Sequence, residues 1–485
     1  MHSPTTLRIS IASLLLALAA TVSAGCGSSA SGPTTTITMA VILDRTSQTG
    51  GLIAIPDVVQ LAFDDVNAGL RKAGNYKGLG FAHTDGDSSG SGAATISGQL
   101  ATQLVHDGAK LVITDNSNNT IAVIKDDYDD DTSNDLNAPI LCVLCGSSII
   151  NDPAAVNADA VTQAALRNSK KWNFRTILAS RFFAPVVVAR ALAVAGGDAT
   201  GGDRNGDGMV KAALYGSNEP QGLSSINGFA AVLAAAKPAA SIEKIFHDPA
   251  ADPNGTLWAT DAARLTDNRN ETTNTVDVVP DFVYESSLPG TAIAFTKAYV
   301  QGNYGVPILH GAPFGNETAT LTLGDLANGQ EGVGFATYYP GTSADFFIQR
   351  FKQHFGKSPE SHERDGATTY DAVMLGALAT MLAVKDLDDP ATVTGAQIRD
   401  ALWLLNDPAG TEITAGPDGI AKAAMLISAG MPINYQGVSG PLDFDSNAFV
   451  LGAIAHWVIT NNHFVDQQIY DCTKGPTCPE LTPTH

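Results

Sequence analysis

Short apolar runs alternate with amphipathic segments along most of the chain, beginning at residue 37. The run "ITMAVILD" (Ile37–Asp44) is almost wholly apolar, which is typical of a parallel strand buried on both faces. The next segment starts a predicted helix at Pro56 and has apolar residues at helical spacing as far as Leu70. Such alternation predicts βαβ units and a parallel sheet.

The alternation runs through two successive sets. The first set predicts further strands at "LGFAHTD", "AKLVITD" and "APILCVLC", and the second predicts strands at "VKAALYG", "SIEKIFHD", "DVVPDFVYES" and "GVPILHGA". Two such sets indicate two α/β domains, each with its own sheet. Two long helices and late strands at "GPLDFD" and "LGAIAHWVITNNHFV" follow, and they must dock back onto these domains. The chain is therefore expected to cross between the domains more than once.

The N-terminus has a different pattern. Residues 1–25 carry Arg8, an apolar run and then small residues, which predicts a secretory signal too short to span a membrane. The end of this segment, "VSAGC", resembles the bacterial lipobox, in which the chain is cut before a cysteine that carries diacylglycerol. That resemblance implies lipidation of Cys26, with residues 26–35 as a flexible tether. An ordinary cleavage site followed by a chance cysteine is the alternative.

Composition narrows the possible functions. The chain has 485 residues, of which 44% are hydrophobic, which is enough for two or three globular domains. Its formal net charge of −21 repels phosphate backbones, so we expect no nucleic-acid partner. No stretch after the signal reaches the roughly 18 apolar residues of a membrane span, so we expect membrane attachment only through the lipid anchor.

Several segments together resemble one family, the type I periplasmic binding proteins of the branched-chain amino-acid-binding branch. "ITMAVILDRTSQTGG" is similar to the opening strand and first cleft loop of that family, and "AIPDVVQLAFDDVNAG" to its first helix. "GQLATQLVHDGAKLVITDNSNNTIAV", "NFRTILAS" and "ATTYDAVMLGAL" resemble its second helix with the following loop, its first domain crossing and a late helix. "GVSGPLDFDSNAF" is similar to its final crossing.

The resemblance implies an α/β fold with two doubly wound parallel-sheet lobes joined by a three-strand hinge. Residues 36–175 and 336–439 would form lobe I, residues 176–335 and 440–470 lobe II, and residues 471–485 a C-terminal tail. It further implies a monomeric solute-binding protein, not an enzyme, that requires no cofactor and hands a small polar solute, an amino acid or a related molecule, to an ABC permease. A sensory or scaffold lipoprotein with the same fold is the alternative.

Three loops are expected to touch the solute. In the family, a serine and a threonine on the loop after the third strand hold the ligand's carboxylate, and Ser117 and Thr120 occupy these positions. Capping of the following helix by these residues is the alternative. The next loop of the family contributes a carbonyl and a hydroxyl. The ligand-binding residues predicted from these loops and from the end of a lobe II strand are Ser117, Asn118, Asn119, Thr120, Gly146, Ser147, Ser148, Tyr284, Glu285 and Ser286.

The sequence departs from the family at two expected contact positions. Pro313 stands where the family has the acid that pairs with the ligand's ammonium, and Glu219 stands where it has an aromatic wall. Glu219, Glu285 or Glu317 would have to supply an acid if the solute is an α-amino acid. Arg181 either holds a second anionic group or is a solvated surface charge.

The cysteines raise a separate question. Cys142 and Cys145 lie on or at the end of a predicted strand, where their α-carbons would be about 10 Å apart at about 3.3 Å per residue. That distance is beyond disulfide reach, so we predict that the two cysteines are not bonded to each other. Cys472 and Cys478 are close in sequence, and in an oxidising compartment we expect them to form a disulfide.

Two motifs suggest other chemistry. "DRNGDG" places Asp203, Asn205 and Asp207 at the alternate positions of a calcium loop, but it lacks the bidentate acid that completes an EF-hand. A simpler structural calcium site and a plain polar turn both remain open. "GDSSG" matches a nucleophile elbow around Ser88, and a serine hydrolase would require a histidine facing Ser88 across a pocket.

Overall fold

The structure is a computed structural model, and it describes residues 32–44, 55–88, 93–127, 135–151, 172–196, 201–248, 252, 255–267, 269–270, 275–276, 279–357, 359, 364–475 and 477–481. The predicted signal segment and the lipidation site Cys26 lie outside the described residues. Residues Pro33–His485 form one unit by their contacts, and all that follows belongs to it.

The first third of the chain alternates strands and helices, as the apolar pattern predicts. In chain order, the elements are β1 (Thr35–Leu43), α1 (Ile55–Lys72), β2 (Leu79–Asp87), α2 (Ala93–His106), β3 (Val112–Asn116), α3 (Ser117–Asp127), β4 (Ile140–Leu144) and β5 (Asn173–Arg175). The strands form a parallel sheet in the order β2-β1-β3-β4-β5. This order is that of a doubly wound sheet: β2 lies on one side of β1, and the later strands β3, β4 and β5 are added on the other side.

A second alternating series follows. Its elements are α4 (Ser180–Val194), β6 (Lys211–Ser217), α5 (Pro220–Ala236), β7 (Ser241–His247), α6 (Trp258–Asp267), β8 (Arg269–Asn270), β9 (Thr275–Val276), β10 (Phe282–Ser286), α7 (Pro289–Gly302), β11 (Ile308–His310), α8 (Glu317–Leu323) and β12 (Glu331–Phe335). Strands β7, β6, β10, β11 and β12 lie side by side and parallel. They form the core of a second sheet.

The last third of the chain adds helices to the core beneath the first sheet and adds strands to the second sheet. It contains α9 (Thr342–Phe355), α10 (Arg364–Ala383), α11 (Gly395–Leu402), β13 (Thr411–Thr414), α12 (Pro417–Ser428), β14 (Ile433–Gln436), β15 (Ala453–Thr460), β16 (His463–Asp471) and β17 (Glu480–Leu481). Helix α10 is buried along most of its length and belongs to the core beneath the first sheet. Strands β15, β16 and β17 extend the second sheet antiparallel from β12.

Two details of the late strands differ from the prediction. The segment "LGAIAHWVITNNHFV" is a hairpin rather than one strand, because Asn461 and Asn462 adopt φ angles of 51° and 61°, the left-handed pair that a tight two-residue turn requires. The segment "GPLDFD" forms no strand. It is an irregular stretch whose Leu442 packs into the lobe I core.

Three crossings between the lobes lie together. Ser439 Oγ donates to the Thr176 carbonyl at 3.2 Å, and the Tyr339 amide donates to the Val438 carbonyl at 2.7 Å. The buried Asp371 carboxylate of α10 accepts hydrogen bonds from the Val438 and Ser439 amides. One buried acid thus fixes the third crossing against lobe I, while the lobe boundaries given above stay predictions.

Among the described helices, none combines the length and the apolar character needed to cross a bilayer.

Candidate functional site

The carboxyl ends of strands β3 and β4 meet at one edge of the first sheet. Helix α3 begins at Ser117, directly after β3, and β4 leads into residues 145–148. Ser117 Oγ accepts a hydrogen bond from the Ser147 amide at 3.2 Å. Two of the loops predicted to touch the solute are therefore in direct contact. We call residues 115–120, residues 145–148 and Arg175 the lobe I edge.

The loop after β4 turns more sharply than an extended chain. The Gly146 amide donates to the Leu144 carbonyl at 2.9 Å, which closes a three-residue turn around Cys145. This turn brings the α-carbons of Cys142 and Cys145 to 5.7 Å, and the two residues form a disulfide. The prediction that they are unbonded is wrong, because it assumed that the strand geometry continues to Cys145. The predicted Cys472–Cys478 disulfide is confirmed, with α-carbons 4.0 Å apart.

A buried arginine holds the other side of this loop. Arg175 is 1% exposed, and its Nη1 donates to the Cys145 and Ser147 carbonyls at 2.7 and 3.2 Å. Its Nη2 donates to the Ile150 carbonyl at 2.8 Å. The guanidinium lies 4.4 Å from the centre of the Phe449 ring, within cation–π distance. Arg175 was not among the predicted site residues, and only its position at the end of a strand could have suggested it.

Residues 146–148 contact the start of α5 in lobe II. Ser147 Oγ donates to the Pro220 carbonyl at 3.0 Å, and the Ser148 amide donates to Ser224 Oγ at 2.9 Å. A β-carbon on Gly146 would lie only 2.8 Å from Gln221 Oε1, so a larger residue here would displace the Gln221 side chain. The lobes thus meet at the loop that was predicted to touch the solute.

A chain of polar side chains continues this contact. Ser180 Oγ, at the start of α4, donates to the Gly146 carbonyl at 2.7 Å. Gln221 Nε2 donates to Ser180 Oγ at 3.2 Å and to Ser225 Oγ at 3.1 Å. Sequence reasoning missed Gln221, Ser224 and Ser225. The signal was present in "EPQGLSS", where proline at a helix start precedes polar residues in the first turn.

Asn119 and Thr120 face the interior of lobe I. The Asn119 amide group donates to Ser88 Oγ at 2.8 Å and to Asp115 Oδ1 at 2.6 Å, and its oxygen accepts from Ser97 Oγ at 2.9 Å. Thr120 Oγ1 lies 2.5 Å from Thr114 Oγ1. These two residues therefore hold the frame of the edge and present no side-chain polar atom to a solute, whereas Asn118 is half-buried on α3.

The buried carboxyl of Asp115 anchors the same frame. Its Oδ2 accepts a hydrogen bond from the Asp44 amide at 2.7 Å, which ties the end of β1 to the end of β3. Burial raises the pKa of Asp115 to about 6, and the negative charge of Asp44 acts in the same direction.

Of the residues predicted on β10, Tyr284 and Glu285 are committed to lobe II. The Tyr284 ring stacks on Phe229 with centroids 4.4 Å apart in the core, and burial raises the pKa of its hydroxyl. Glu285 Oε1 accepts from the Ser287 amide at 2.7 Å, and Oε2 lies 3.2 Å from Nδ1 of the buried His310. Ser286 is buried beside Gly311. Side chains alternate along a strand, so the order of these residues in sequence does not reveal which one faces the cleft.

Lobe II nevertheless carries polar atoms that lack partners among the described residues. We call residues 217–225 and 285–287 the lobe II edge. Three buried side-chain atoms there make no hydrogen bond with the described residues: Glu219 Oε2, Gln221 Oε1 and Ser287 Oγ. On the facing loop of lobe I, Ser148 Oγ is also buried without a hydrogen bond to the described residues. Burial raises the pKa of Glu219 to about 7, and the negative charge of Asp248 acts in the same direction, whereas the hydrogen bond from Ser217 acts against this shift.

The candidate calcium residues form a polar turn. Asp203 accepts the amides of Gly206 and Gly208, and Asp207 Oδ2 pairs with Lys211 Nζ at 2.8 Å. This ammonium lowers the pKa of Asp207. No group of three or more acidic, histidine or cysteine side chains is arranged around a possible metal position in the described part of the chain. The turn interpretation is thus favoured, with backbone amides bonded to Asp203, Asn205 and Asp207.

The other candidate residues have structural surroundings. Ser88 is fully buried and accepts a hydrogen bond from Asn119, so it does not face a pocket as a hydrolase nucleophile would. Pro313 lies in a short 3-10 turn, and Glu317 is exposed in the first turn of α8. Arg181 is exposed and lies over the Phe449 ring, in agreement with a surface charge.

The sequence matches no protein-family model. It also matches none of the curated proteins. Solved structures do resemble it. The leucine-binding protein LivK of Thermotoga maritima superposes with a TM-score of 0.62 at 14% identity, over 90% of this chain and 100% of that one. The binding protein LivJ of Streptococcus pneumoniae, in complex with isoleucine, gives 0.56 at 14% identity over 93% and 100% of the two chains.

A third structure widens the range of bound molecules. A solute-binding protein of an ABC transporter from Rhodopseudomonas palustris, in complex with 3,4-dihydroxybenzoic acid, superposes with a TM-score of 0.56 at 15% identity, over 90% of this chain and 98% of that one. At these identities the likeness establishes the fold. The chain has the two-lobed type I periplasmic-binding fold, which confirms the predicted fold class.

Proposed function

We propose that this protein captures a small polar solute between its two lobes, outside the cytoplasm, and delivers it to an ABC permease. The observation that carries the proposal is the contact between residues 146–148 and the start of α5. Ser148 Oγ, Glu219 Oε2 and Gln221 Oε1 are buried close to this contact in sequence and have no hydrogen-bond partner in the described part of the chain.

Unpartnered polar atoms support a polar ligand because each costs roughly 1–3 kcal/mol when it is buried without a hydrogen bond. A solute that donates N–H or O–H groups satisfies the Glu219 carboxylate and the Gln221 carbonyl, and the Ser148 hydroxyl serves either role. Leucine, isoleucine and dihydroxybenzoate, which are bound by proteins of this fold, each carry a carboxyl group and at least one such donor. An amino acid or a hydroxylated aromatic acid is therefore the solute class we propose.

A binding screen tests the proposal. The protein, secreted by a bacterial host, is mixed with L-leucine, L-isoleucine, L-glutamine, benzoate and 3,4-dihydroxybenzoate, and its melting temperature is recorded. A solute at about 100 times its dissociation constant adds about 2.7 kcal/mol to stability. We expect at least one compound to raise the melting temperature, and calorimetry then gives its affinity.

The variant Ser148→Ala assigns the hit to the cleft. We expect it to weaken binding, while Ser428→Ala, which changes an exposed serine at the end of α12, leaves binding unchanged. Equal binding by wild type and Ser148→Ala would contradict this site.

The proposed location also includes the lipid anchor on Cys26. We expect the mature chain to partition into detergent and the variant Cys26→Ala to remain in the aqueous phase. Mass spectrometry of the N-terminal peptide should show the added diacylglycerol on Cys26. An unmodified N-terminal cysteine would contradict the anchor but would leave the solute site untouched.

A further inference from the structure

The Cys142–Cys145 disulfide ends immediately before the three residues that contact lobe II. We infer that this disulfide is a positioning element for residues 146–148, and that its reduction by a dithiol lowers the affinity for solute. The inference rests on the proposed function for its effect on affinity. It makes a separate claim about the loop itself, which is tested without any solute.

Cys142 cannot move easily. It is in the middle of β4, aligned with Thr114 of β3 on one side and with Arg175 of β5 on the other. The Thr176 amide donates to the Cys142 carbonyl at 3.1 Å. The side chain is 1% exposed in a core with Ile140 and Ile121. One end of the disulfide is therefore attached to a buried strand that is paired on both sides.

Cys145 lies in a turn and depends on fewer contacts. Its carbonyl accepts from Arg175, and its Sγ lies 3.1 Å from Thr120 Oγ1 at the start of α3. The residue itself belongs to no strand or helix. The disulfide thus connects a fixed strand to the turn from which the interlobe contact begins.

Reduction changes the space that the two sulfurs need. A dithiol supplies two electrons and two protons, the S–S bond breaks, two S–H groups form, and the dithiol becomes a disulfide. Two thiols cannot stay at the bonded separation of about 2 Å. Both side chains are buried in a close-packed core, at 1% and 0% exposure, so one of them must shift.

The shift falls on the turn because Cys142 is held by its neighbouring strands. Gly146, Ser147 and Ser148 follow directly, and each of the three donates or accepts a hydrogen bond across the lobe boundary. A displacement of Cys145 moves the Ser148 amide away from Ser224 Oγ. Closure of the lobes then loses contacts, and the solute is bound more weakly.

The coupling is reciprocal. If reduction weakens solute binding by a given factor, the solute makes the disulfide harder to reduce by the same factor. For this two-electron couple, a tenfold change in affinity corresponds to about 30 mV in reduction potential. A redox titration with and without solute therefore measures the same quantity as a binding titration of the two redox forms.

The experiment compares oxidised and reduced protein with L-leucine and with 3,4-dihydroxybenzoate as probes. Dithiothreitol is the reductant, and reoxidation must restore the original affinity. We expect a loss of roughly tenfold or more on reduction, and the same loss in the double variant Cys142→Ala/Cys145→Ala under oxidising conditions. Equal affinities of the oxidised and reduced forms would overturn the inference.

The chain supplies a matched control in its second disulfide. Cys472 and Cys478 are also buried, but they lie in lobe II at the end of β16. The double variant Cys472→Ala/Cys478→Ala should lower the melting temperature and leave the affinity unchanged. An equal loss of affinity in both double variants would show a general effect of destabilisation and would count against a positioning role.

Amide hydrogen exchange tests the loop when no probe binds. The Ser147 and Ser148 amides are bonded to Ser117 Oγ and Ser224 Oγ, so they should exchange slowly in the oxidised protein. Reduction should speed exchange at both amides and leave the Val112 amide, inside the sheet, protected. Faster exchange without binding of either probe supports the positioning role and counts against the proposed function. Unchanged exchange at Ser147 and Ser148 contradicts the positioning role.

Discussion

The two edges of the cleft are built in different ways. On the lobe I edge, hydrogen bonds connect four buried side chains to each other, to adjacent side chains and to backbone groups. The four residues are Asp115, Asn119, Thr120 and Arg175, and their network joins β1, β3, β4 and β5. On the lobe II edge, Glu219 Oε2, Gln221 Oε1 and Ser287 Oγ have no hydrogen-bond partner among the described residues, as is also true of Ser148 Oγ on the facing loop. A satisfied network is rigid, whereas unpaired groups are available to a ligand. We therefore expect lobe I to set the shape of the site and lobe II to set its selectivity.

Among the variants that test this difference between the edges, we expect Arg175→Met to have the largest effect on stability. It leaves three carbonyls, those of Cys145, Ser147 and Ile150, without their buried donor. We expect the free energy of unfolding to fall by about 3–5 kcal/mol, because each carbonyl left buried without a donor costs about 1–3 kcal/mol. Urea denaturation measures this loss. Arg181→Met, at an exposed position, is the control and should cost less than about 1 kcal/mol.

A loss below about 1 kcal/mol in Arg175→Met would mean that the lobe I edge is not held by this arginine.

An intermediate effect is expected for Glu219→Gln, and it depends on pH. The folded protein keeps a proton on Glu219 up to a pKa of about 7, whereas the unfolded chain releases it near the ordinary glutamate pKa of 4.5. Wild-type stability contributed by this group is present below that lower pKa and is lost as pH rises through about 7. We expect the variant to be more stable than wild type at pH 8 by on the order of 1–3 kcal/mol, and the difference to shrink towards pH 5.

Urea denaturation of both proteins between pH 5 and pH 8 gives this difference. Asp115 also has a raised pKa, but it is present in both proteins, so its effect cancels in the comparison. Glu317→Gln, at an exposed glutamate, is measured in parallel as the control. A constant difference between wild type and Glu219→Gln across this range would show that Glu219 is ionised at the lower pH.

The smallest effect on stability is expected where the two edges meet. Ser224→Ala removes the acceptor of the Ser148 amide across the lobe boundary. We expect the free energy of unfolding to change by less than about 1 kcal/mol. We expect the affinity for solute to fall roughly tenfold, which corresponds to about 1.4 kcal/mol of binding free energy. Ser241→Ala, at the exposed start of β7, is the matched control in the same lobe. A stability loss larger than the affinity loss would contradict a role confined to closure.

Much of the fold could be predicted from the chain. The apolar run of β1 and the helical spacing of α1 identify a buried strand followed by a helix, because each element must bury a face of its own period. The strand order and the antiparallel extension by β15 to β17 could not be predicted in this way. They depend on which edges meet in space, and apolar periodicity carries no information about that.

The candidate site was predicted only in part. Ser117, Gly146, Ser147 and Ser148 lie together at the edge, because loops at the carboxyl ends of neighbouring parallel strands converge there. Tyr284 and Asn119 were also expected to face the solute but point into the lobes. One step along a strand reverses the direction of a side chain, and one step along a helix rotates it by about 100°.

The sequence by itself determined the alternation of strands and helices, the acidic surface and the Cys472–Cys478 pairing, because these follow from local pattern, composition and short separation. Only the tertiary structure decided the state of Cys142 and Cys145. A single turn around Cys145 brings two α-carbons to 5.7 Å that an extended strand would place about 10 Å apart. That turn is stabilised by Arg175 and by contacts with the other lobe, and these residues are distant in sequence.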